Sequence, residues 1–373
     1  MLINGNALLK TADKYGYAQA AFNVNMLEQV DAAITIHEAM HAPLFLQGAQ
    51  LSNAFISGNV DFKHGTLDDI KRGAELLGSY VAKRAKTASI PIVLHLDHGL
   101  TFDVVKACIE GGYTSVMIDG SSKPFEENVA LTKQVVDYAH RYNVTVEGEL
   151  GVLAGVEDHV FAKNSSYTNP LQALDFAKRT GVDSLAVSYG TKHGANKGTN
   201  IKLRMQVIIA IKELFLNEGI DVNLVSHGSS TIPQYIVSEI NRFGGNVNGS
   251  GGIPIDQLKT AIKCGINKIN IDSDIRMACT RNMREIAYND PEFAKEPSVS
   301  GVYALLKKHL GDIDPRTFLA PAMDLVTTNQ AKDAAQERLN LAISMGTQEI
   351  MGTLIVQFDM LGMAPKVARY SDK

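Results

Sequence analysis

The chain has 373 residues, of which 45% are hydrophobic and 20% charged, a composition that can bury a large core and excludes an intrinsically disordered chain. Its 40 acidic residues nearly balance its 36 basic ones, so no broad basic face is available to bind a nucleic acid. No apolar run approaches the roughly 20 residues that span a bilayer, and we expect Met1–Gly5 to lead into a helix and not into a basic-then-apolar signal segment. We therefore expect a cytoplasmic protein that binds a small molecule, and neither nucleic acid nor a membrane.

Short β-rich runs recur eight times between longer stretches with helical spacing. The runs are Tyr17–Phe22, Pro43–Gln47, Pro91–Leu96, Ser115–Ile118, Val144–Glu147, Ser184–Val187, Val222–Val225 and Lys268–Ile271. Because strand and helix alternate eight times, the pattern predicts an α/β fold of the (β/α)8 TIM barrel type rather than an open doubly wound sheet. We assign residues 1–300 to this catalytic barrel domain.

Two segments exceed what a barrel requires. Leu51–Ser89 carries several glycines among mixed polar residues, which predicts a long excursion after the second strand with some helix of its own. Residues 301–373 are predicted to form a helical C-terminal extension packed on the same domain. Within it, Ala331–Met345 has strong helix-forming residues, and Pro315 and Pro321 interrupt the pattern before it. Such segments more often serve packing or oligomer assembly than catalysis.

Polar and ionisable residues gather where the predicted strands end, which is the end of a TIM barrel that carries the active site. They are Asn23, His95-Leu96-Asp97-His98-Gly99, Asp119, Glu147-Gly148-Glu149, Thr191-Lys192-His193-Gly194, Ser226-His227-Gly228 and Asn270-Ile271-Asp272. Four of the ten histidines lie at these positions, whereas a random scatter would place most of them on helices and loops. This concentration of histidine and carboxylate favours a catalytic or metal site.

Three of these histidines, His98, His193 and His227, are each followed by a glycine, which allows a tight turn beside the imidazole. Three neutral imidazoles with one open position are typical of a catalytic zinc site. A single histidine in a loop more often only satisfies a hydrogen bond, but three at strand ends with acidic neighbours favour a metal. Asp97 adjoins His98, so a carboxylate is available for proton transfer beside that metal.

The last two strand ends predict an anion site. His227-Gly228-Ser229-Ser230 and Asn270-Ile271-Asp272-Ser273 follow the seventh and eighth strands, where barrels commonly bind phosphate through backbone N–H groups and hydroxyls. A glycine and serine pair alone also fits an ordinary turn. Together with Gly194 and Lys197 after the sixth strand, the pattern favours a phosphate site over a turn.

The chain resembles the class II, metal-dependent fructose-1,6-bisphosphate aldolases in four motifs that follow one another along the sequence. They are Val93 to Gly99 (VLHLDHG), Val146 to Gly151 (VEGELG), Gly190 to Gly194 (GTKHG) and Asn270 to Asp274 (NIDSD), and the similarity runs from Asn23 to Arg276. The resemblance implies reversible, Zn²⁺-dependent cleavage of fructose 1,6-bisphosphate to dihydroxyacetone phosphate and glyceraldehyde 3-phosphate. Tagatose 1,6-bisphosphate is the alternative substrate, because Ala49 stands where the family usually has a serine that reaches the sugar.

The resemblance also implies roles for individual residues. His98, His193 and His227 would be the zinc ligands, with Glu149 and Asp119 as alternative metal positions. Asp97 would be the catalytic acid/base, and Glu157, in the loop after the fifth strand, the second proton carrier. The expected substrate contacts are Gly194, Lys197, Gly228, Ser230 and Ser273 for one phosphate, Asn23, Asn270 and Asp272 for the sugar, and Arg276 for the other phosphate. The family often forms homodimers or homotetramers and can use a monovalent cation, Na⁺ or K⁺.

Competing interpretations stay open at this point. His37-Glu38-Ala39-Met40-His41 fits the HExxH pattern of zinc peptidases, although both histidines also continue an apolar helix stripe that would pack on the barrel. A Schiff base on Lys192 would replace the metal in the same reaction. A barrel can also serve only as a binding module, since a fold does not guarantee activity. Asn248–Gly252 lacks the preceding strand of a dinucleotide-binding loop and is interpreted as an ordinary loop.

Overall fold

Eight parallel strands close into a barrel in the computed structural model, which describes residues 1–157, 160–162, 166–198 and 201–371. The strands are Gln19–Asn23, Leu44–Ala49, Ile92–Gly99, Ser115–Ile118, Thr145–Leu150, Ser184–Val187, Asn223–Ser226 and Ile266–Ile271. Each strand pairs with the next along the chain, and the eighth pairs with the first. The predicted (β/α)8 barrel is therefore confirmed.

The third and fifth strands continue further than their sequences suggested. They reach Gly99 and Leu150, although the polar residues that follow Leu96 and Glu147 had indicated loops. Every residue of both strands is buried, so these polar side chains lie within the protein and not in exposed turns. Hydrophobic periodicity does not reveal a strand end whose side chains line a polar site.

A layer of polar side chains crosses the interior of the barrel. In register across neighbouring strands, Gln47 lies beside His95, His95 beside Ser115, and Ser115 beside Thr145. All four side chains are buried, and buried polar groups require hydrogen-bond partners. Ser115 Oγ supplies one, because His95 Nδ1 lies 2.8 Å from it and Thr145 Oγ1 lies 2.9 Å from it. The barrel centre can therefore hold ionisable groups without access to solvent.

Helices cover the outside of the barrel. They are Gly5–Tyr15 before the first strand, and then Leu27–Ala39, Gln50–Ile56, Leu67–Ala85, Phe102–Glu110, Phe125–Ala139, Pro170–Thr180, Met205–Asn217, Gln234–Arg242, Ile255–Cys264 and Ser273–Asn289. Short 3-10 helices are Phe62–His64, His140–Tyr142, Phe293–Lys295 and Ala320–Ala322. An antiparallel hairpin, Gly155–Glu157 with Val160–Ala162, follows the fifth strand. Within the described ranges, no helix is both long enough and apolar enough to cross a bilayer.

The predicted excursion after the second strand is largely helical. Its main helix, Leu67–Ala85, begins at a capping box in which Thr66 Oγ1 accepts from the Asp69 N–H and the Asp69 carboxylate accepts from the Thr66 N–H. This arrangement satisfies backbone donors that a helix start otherwise leaves without partners. The excursion therefore has a stable start of its own and does not rely only on packing against the barrel.

The C-terminal extension consists of helices Ser300–Lys308, Pro315–Leu319, Met323–Thr328, Ala334–Gln357 and Ala364–Ser371. The longest of them packs against Leu27–Ala39 and Ser273–Asn289. It runs past the predicted end at Met345, because buried Ile350, Met351 and Leu354 continue its apolar face. Pro315 occupies the first turn of a short helix, where its missing N–H has no intrahelical partner to lose. The assignment of the extension and barrel to one domain stays a prediction.

Candidate active site

Five ionisable side chains meet at the carboxyl ends of the barrel strands, and we call them the metal-side cluster: Asp97, His98, Asp119, Glu149 and His227. All five are buried. Asp97 and His98 lie near the end of the third strand, where the pairing register with the fourth strand shifts between Leu96 and Gly99. His98 has a left-handed backbone with φ of 49°, an uncommon conformation for a residue other than glycine. Such an irregularity re-aims a side chain, here toward the barrel mouth.

The three predicted histidine ligands come together. His98 Nε2 lies 2.9 Å from His227 Nδ1. The ring centroid of His193 lies 5.2 Å from that of His98 and 6.3 Å from that of His227. His193 is in the loop after the sixth strand, where its backbone N–H donates to the Ala154 carbonyl at 3.0 Å. The structure thus brings the three distant imidazoles together, while their role as zinc ligands stays a prediction.

The other ring nitrogens of two histidines bond to carboxylates. His98 Nδ1 lies 3.0 Å from Asp119 Oδ2, and His227 Nε2 lies 2.7 Å from Glu147 Oε1. Because an ionised carboxylate only accepts, both of these nitrogens must carry the proton. In neutral rings, the facing His98 Nε2 and His227 Nδ1 then present lone pairs to one another. That arrangement is favourable only when a proton or a cation lies between them, so this pair fits a metal ion.

Asp97 is held by two amides at the same place. Its Oδ2 accepts from Asn23 Nδ2 at 2.8 Å, and its Oδ1 accepts from Asn270 Nδ2 at 3.0 Å. Asp97, His98 and His227 together present ligand atoms that all lie within 4.8 Å of one another. The two amides fix the plane of the carboxylate, and Asn23 and Asn270, predicted as sugar contacts, therefore lie beside the predicted acid/base.

A second set of possible metal ligands shares His98 and adds Asp119 and Glu149. Glu149 Oε2 is buried and has no hydrogen-bond partner among the described residues. Burial and the nearby charge of Asp119 raise the pKa of Glu149 well above its usual range. A cation bound here would offset both effects and stabilise the ionised carboxylate, which is consistent with the predicted alternative metal positions.

The charges of this cluster depend strongly on one another. Burial lowers the pKa of His98, but the carboxylates of Asp97 and Asp119 outweigh it and raise that pKa well above its usual range. Burial raises the pKa of Asp119, but its hydrogen bond to His98 outweighs it and holds that pKa well below its usual range. The carboxylates thus attract positive charge to His98. A divalent cation would supply the same charge directly.

An ion pair deeper in the barrel was not predicted from the sequence. Lys268 Nζ lies 2.8 Å from Glu147 Oε2, and both side chains are buried. Burial raises the pKa of Glu147, but Lys268 and the His227 hydrogen bond hold it well below its usual range. The sequence could have indicated this pair, because it places one acidic and one basic residue inside strands that are otherwise apolar. A single buried charge in such a place would be costly, so each charge calls for a partner.

The loops that were predicted to bind phosphate also meet. Ser230 Oγ lies 3.3 Å from the Asp272 N–H and 3.2 Å from the Ser273 N–H, at the start of helix Ser273–Asn289. Gly228 has φ of 60°, and a Cβ there would lie 2.5 Å from the carbonyl carbon of Lys192. Glycine is therefore required at Gly228 for the loops after the sixth and seventh strands to approach. In the first of these loops lie Gly194 and the buried Lys197, whose ammonium donates to the Lys192 carbonyl.

Arg276 is bound by two carboxylates. Its Nε and Nη2 donate to Asp272 at 2.7 and 2.6 Å, and its Nη1 donates to Asp314 Oδ2 at 3.0 Å. Asp314 also accepts from Arg316 Nη2 at 2.8 Å. We call Asp272, Arg276, Asp314 and Arg316 the phosphate-side quartet. Asp314 and Arg316 belong to the C-terminal extension, so a residue that was predicted to bind substrate is in contact with a segment that was assigned to packing.

The structure separates the two halves of the HExxH pattern. Helix Leu27–Ala39 ends before His41, which is exposed and has a left-handed φ of 49°. His37 is buried, with Nδ1 2.8 Å from the Ala33 carbonyl. The two imidazoles therefore do not share a helix face, and the expectation that both continue the apolar stripe is wrong for His41. A positive φ after the helix end was not visible in the sequence.

Two other sequence hypotheses concern loops. Asn248–Gly252 lies between helices Gln234–Arg242 and Ile255–Cys264 and has no preceding strand, so its interpretation as an ordinary loop is confirmed. Glu157, the predicted second proton carrier, ends one strand of the hairpin, but its side chain lies outside the described part of the structure. Its role stays a prediction.

Comparison with known proteins points to a single family. A family model described as "Fructose-bisphosphate aldolase class-II" matches residues 3–346. The chain is 39% identical over 338 residues to a fructose-bisphosphate aldolase of Treponema pallidum, covering 87% of this chain and 92% of that one. It is 36% identical over 349 residues to one of Thermus caldophilus, covering 93% and 99%. The solved YdjI aldolase of Escherichia coli K12 is similar with a TM-score of 0.63, at 25% identity over 98% and 100% of the two chains.

Proposed function

The chain belongs to the class II fructose-bisphosphate aldolases, a family of lyases, and on that premise we propose that it reversibly cleaves fructose 1,6-bisphosphate with the help of zinc. The products would be dihydroxyacetone phosphate and glyceraldehyde 3-phosphate. The observation that carries the proposal is the 2.9 Å approach of His98 Nε2 to His227 Nδ1 beside the Asp97 carboxylate. This arrangement joins a place for a divalent cation to a group that can move a proton.

His98, His193 and His227 would hold the zinc ion, with Glu149 and Asp119 as alternative ligands. Two imidazole nitrogens that face each other, and a buried Glu149 oxygen with no hydrogen-bond partner in the part of the chain that the structure describes, suit a borderline-soft cation. When bound, zinc supplies a Lewis acid that polarises the substrate carbonyl and stabilises the negative charge left by bond cleavage. The residues around it keep water out, since the whole metal-side cluster is buried.

Asp97 would take the proton from the hydroxyl on the carbon across the breaking bond. Its two oxygens are fixed by the amides of Asn23 and Asn270, so the carboxylate is oriented before substrate arrives. A positioned carboxylate of this kind contributes about 10²-fold to 10⁴-fold in rate. Glu157 would then return a proton to the carbon of the leaving product.

One phosphate would bind to Gly194, Lys197, Gly228, Ser230 and Ser273. The support is that Ser230 Oγ already bonds to the backbone N–H groups at the start of helix Ser273–Asn289, which is a favourable place for an anion. Asp272 would contact the sugar and Arg276 the second phosphate. Binding energy from these non-reacting groups would then orient the reacting carbons.

Tagatose 1,6-bisphosphate is the second candidate substrate. Ala49 ends the second strand directly in register with Asp97, so a serine at this position would have placed a hydroxyl near the proposed acid/base. Its absence removes one contact that could distinguish the two sugars, which differ in the configuration of one hydroxyl. A dimer or tetramer, Na⁺ or K⁺ dependence and a cytoplasmic location stay predictions from the sequence.

A cleavage assay with metal removal tests the proposed function. The full chain is expected to release triose phosphates from fructose 1,6-bisphosphate, and more slowly from tagatose 1,6-bisphosphate. A chelator should abolish the activity and added Zn²⁺ should restore it. His98→Ala should lose both zinc and activity, whereas the matched control His41→Ala, which changes an exposed histidine, should keep both.

Other outcomes of this assay identify the competing mechanisms. Activity that survives the chelator, together with borohydride trapping of substrate on Lys192, would show a Schiff base in place of the metal. Loss of zinc in His41→Ala but not in His98→Ala would favour the peptidase pattern. No triose phosphate from either sugar bisphosphate would leave the barrel as a binding module.

A further inference from the structure

A buried charged pair lies directly beneath the proposed metal site. Lys268 on the eighth strand and Glu147 on the fifth strand face each other across the barrel interior, with Nζ 2.8 Å from Oε2. Lys268 is fully buried, and its ammonium also lies 3.4 Å from His95 Nε2 and 5.2 Å from the centre of the Phe45 ring. None of the steps proposed above uses this lysine. Two buried charges are costly to desolvate, so their presence calls for an explanation beyond stability.

The pair is connected to a proposed metal ligand through the second oxygen of Glu147. Lys268 donates to Oε2, while Oε1 lies 2.7 Å from His227 Nε2. A lysine ammonium has only donors, so it fixes which way the carboxylate turns, and the carboxylate in turn requires the proton of His227 to be on Nε2. The lone pair of His227 is then on Nδ1, the nitrogen that faces His98 Nε2 at 2.9 Å.

His95 is arranged in the same way and limits the position of Lys268. His95 Nε2 can only accept from the ammonium, so its proton is on Nδ1, which donates to Ser115 Oγ at 2.8 Å. Ser115 Oγ in turn accepts from Thr145 Oγ1 at 2.9 Å. Lys268 is therefore held from one side by Glu147 and from the other by a hydrogen-bonded chain that reaches the fifth strand. Such a network leaves the ammonium little freedom to move.

We propose that Lys268 is a positioning residue that acts through Glu147 to fix His227 in the tautomer and orientation whose Nδ1 faces the metal site. This inference rests on the proposed zinc site and assigns the charged pair to it. Carboxylates that orient metal-binding histidines typically affect metal affinity or activity by about 10-fold to 100-fold. Lys268 extends this support by one residue, because it orients the carboxylate itself.

Metal binding in the absence of substrate tests the role of Lys268. Lys268→Met keeps the length of the side chain and removes its charge, and we expect it to bind Zn²⁺ about 10-fold to 100-fold more weakly in competition with a chelator. The absorption spectrum of the Co²⁺-substituted protein should also change, because His227 is no longer held in one orientation. The matched control Lys263→Met, on the exposed face of helix Ile255–Cys264, should retain both the affinity and the spectrum.

A second variant separates positioning from folding, because Lys268→Met leaves Glu147 buried without its cation. The double variant Glu147→Gln/Lys268→Met removes both charges at nearly constant volume and should fold, with the same weakened Zn²⁺ binding. Wild-type Zn²⁺ affinity and an unchanged Co²⁺ spectrum in either folded variant would overturn the proposal. Failure of both variants to fold would also overturn it, since the pair would then be a requirement of the barrel. If the wild-type chain itself bound no zinc through its histidines, the proposed function would fail first.

Discussion

The metal-side cluster and the phosphate-side quartet both lie at the carboxyl ends of the barrel strands, yet their charges are balanced differently. In the quartet, two carboxylates meet two guanidinium groups, and Asp314 bonds to both Arg276 and Arg316. In the metal-side cluster, three carboxylates surround His98 and His227, and Glu149 Oε2 has no hydrogen-bond partner among the described residues. The charges of the quartet are therefore balanced by side chains of the protein, whereas the metal-side cluster has a deficit of positive charge that a metal ion would fill.

The two regions also differ in how they are built. The metal-side cluster comes entirely from strand ends, whose positions are set by the closed barrel. The quartet joins Asp272 and Arg276, which follow the eighth strand, to Asp314 and Arg316 in the C-terminal extension. Arg316 also stacks over Phe62 in the excursion after the second strand, at 4.7 Å from the ring centre. Both segments beyond the basic barrel therefore reach the proposed substrate side.

The largest effect is expected from a substitution at Asp97. It tests whether, within the metal-side cluster, proton transfer and metal binding are carried out by different residues. Asp97→Asn keeps the size of the side chain but cannot take a proton, so turnover should fall by about 10²-fold or more while bound zinc is retained. Turnover numbers and zinc content per chain measure the two properties independently. Loss of zinc together with activity would instead make Asp97 a metal ligand, and normal turnover would remove it from the mechanism.

The metal-side cluster could be predicted from the sequence better than the quartet, because strand ends build the first and packing of the C-terminal extension builds the second. The convergence of His98, His193 and His227 could be expected because parallel strands bring their ends together, whatever the distance along the chain. Asp314 could not be found, because its contact with Arg276 depends on how the extension packs, and nothing in its own sequence indicates a partner. The Glu147–Lys268 pair was missed for another reason. Glu147 was noted at a predicted strand end but given no role, and Lys268 lies inside the eighth strand, where a search of strand ends does not look.

A smaller effect is expected at Arg276, which tests whether the quartet binds substrate or only ties the extension to the barrel. A charge-assisted hydrogen bond contributes about 1.5–3 kcal/mol, so Arg276→Met should raise KM for fructose 1,6-bisphosphate roughly 10-fold or more. KM for fructose 1-phosphate, which lacks the second phosphate, should change little. The control Arg242→Met alters an exposed arginine and should leave both values unchanged. An equal loss for both substrates would indicate that Arg276 has a structural role only.

The smallest effect is expected at Asp314, and it appears in stability and its dependence on pH. Burial raises the pKa of Asp314, but Arg276 and Arg316 outweigh it and hold that pKa well below its usual range. A carboxyl whose pKa is depressed by folding stabilises the protein above its unfolded pKa of about 3.9, and this contribution is lost as the pH falls through the folded value. Asp314→Asn should therefore lower the free energy of unfolding by about 1–3 kcal/mol at pH 7.

The difference between the wild type and Asp314→Asn should begin to shrink as the pH drops below about 4, because the carboxyl of the unfolded wild-type chain then takes up a proton and the folded one does not. Urea unfolding between pH 3 and pH 7 measures it, with Asp256→Asn, at an exposed helix position, as the control. A difference that is independent of pH would mean that the aspartate acts through packing or through its bond to the Arg316 backbone N–H, which an asparagine can keep. In that case Asp314 would hold the two arginines through packing and hydrogen bonds and not through its charge. Arg276 could then bind a phosphate without first breaking an ion pair with Asp314.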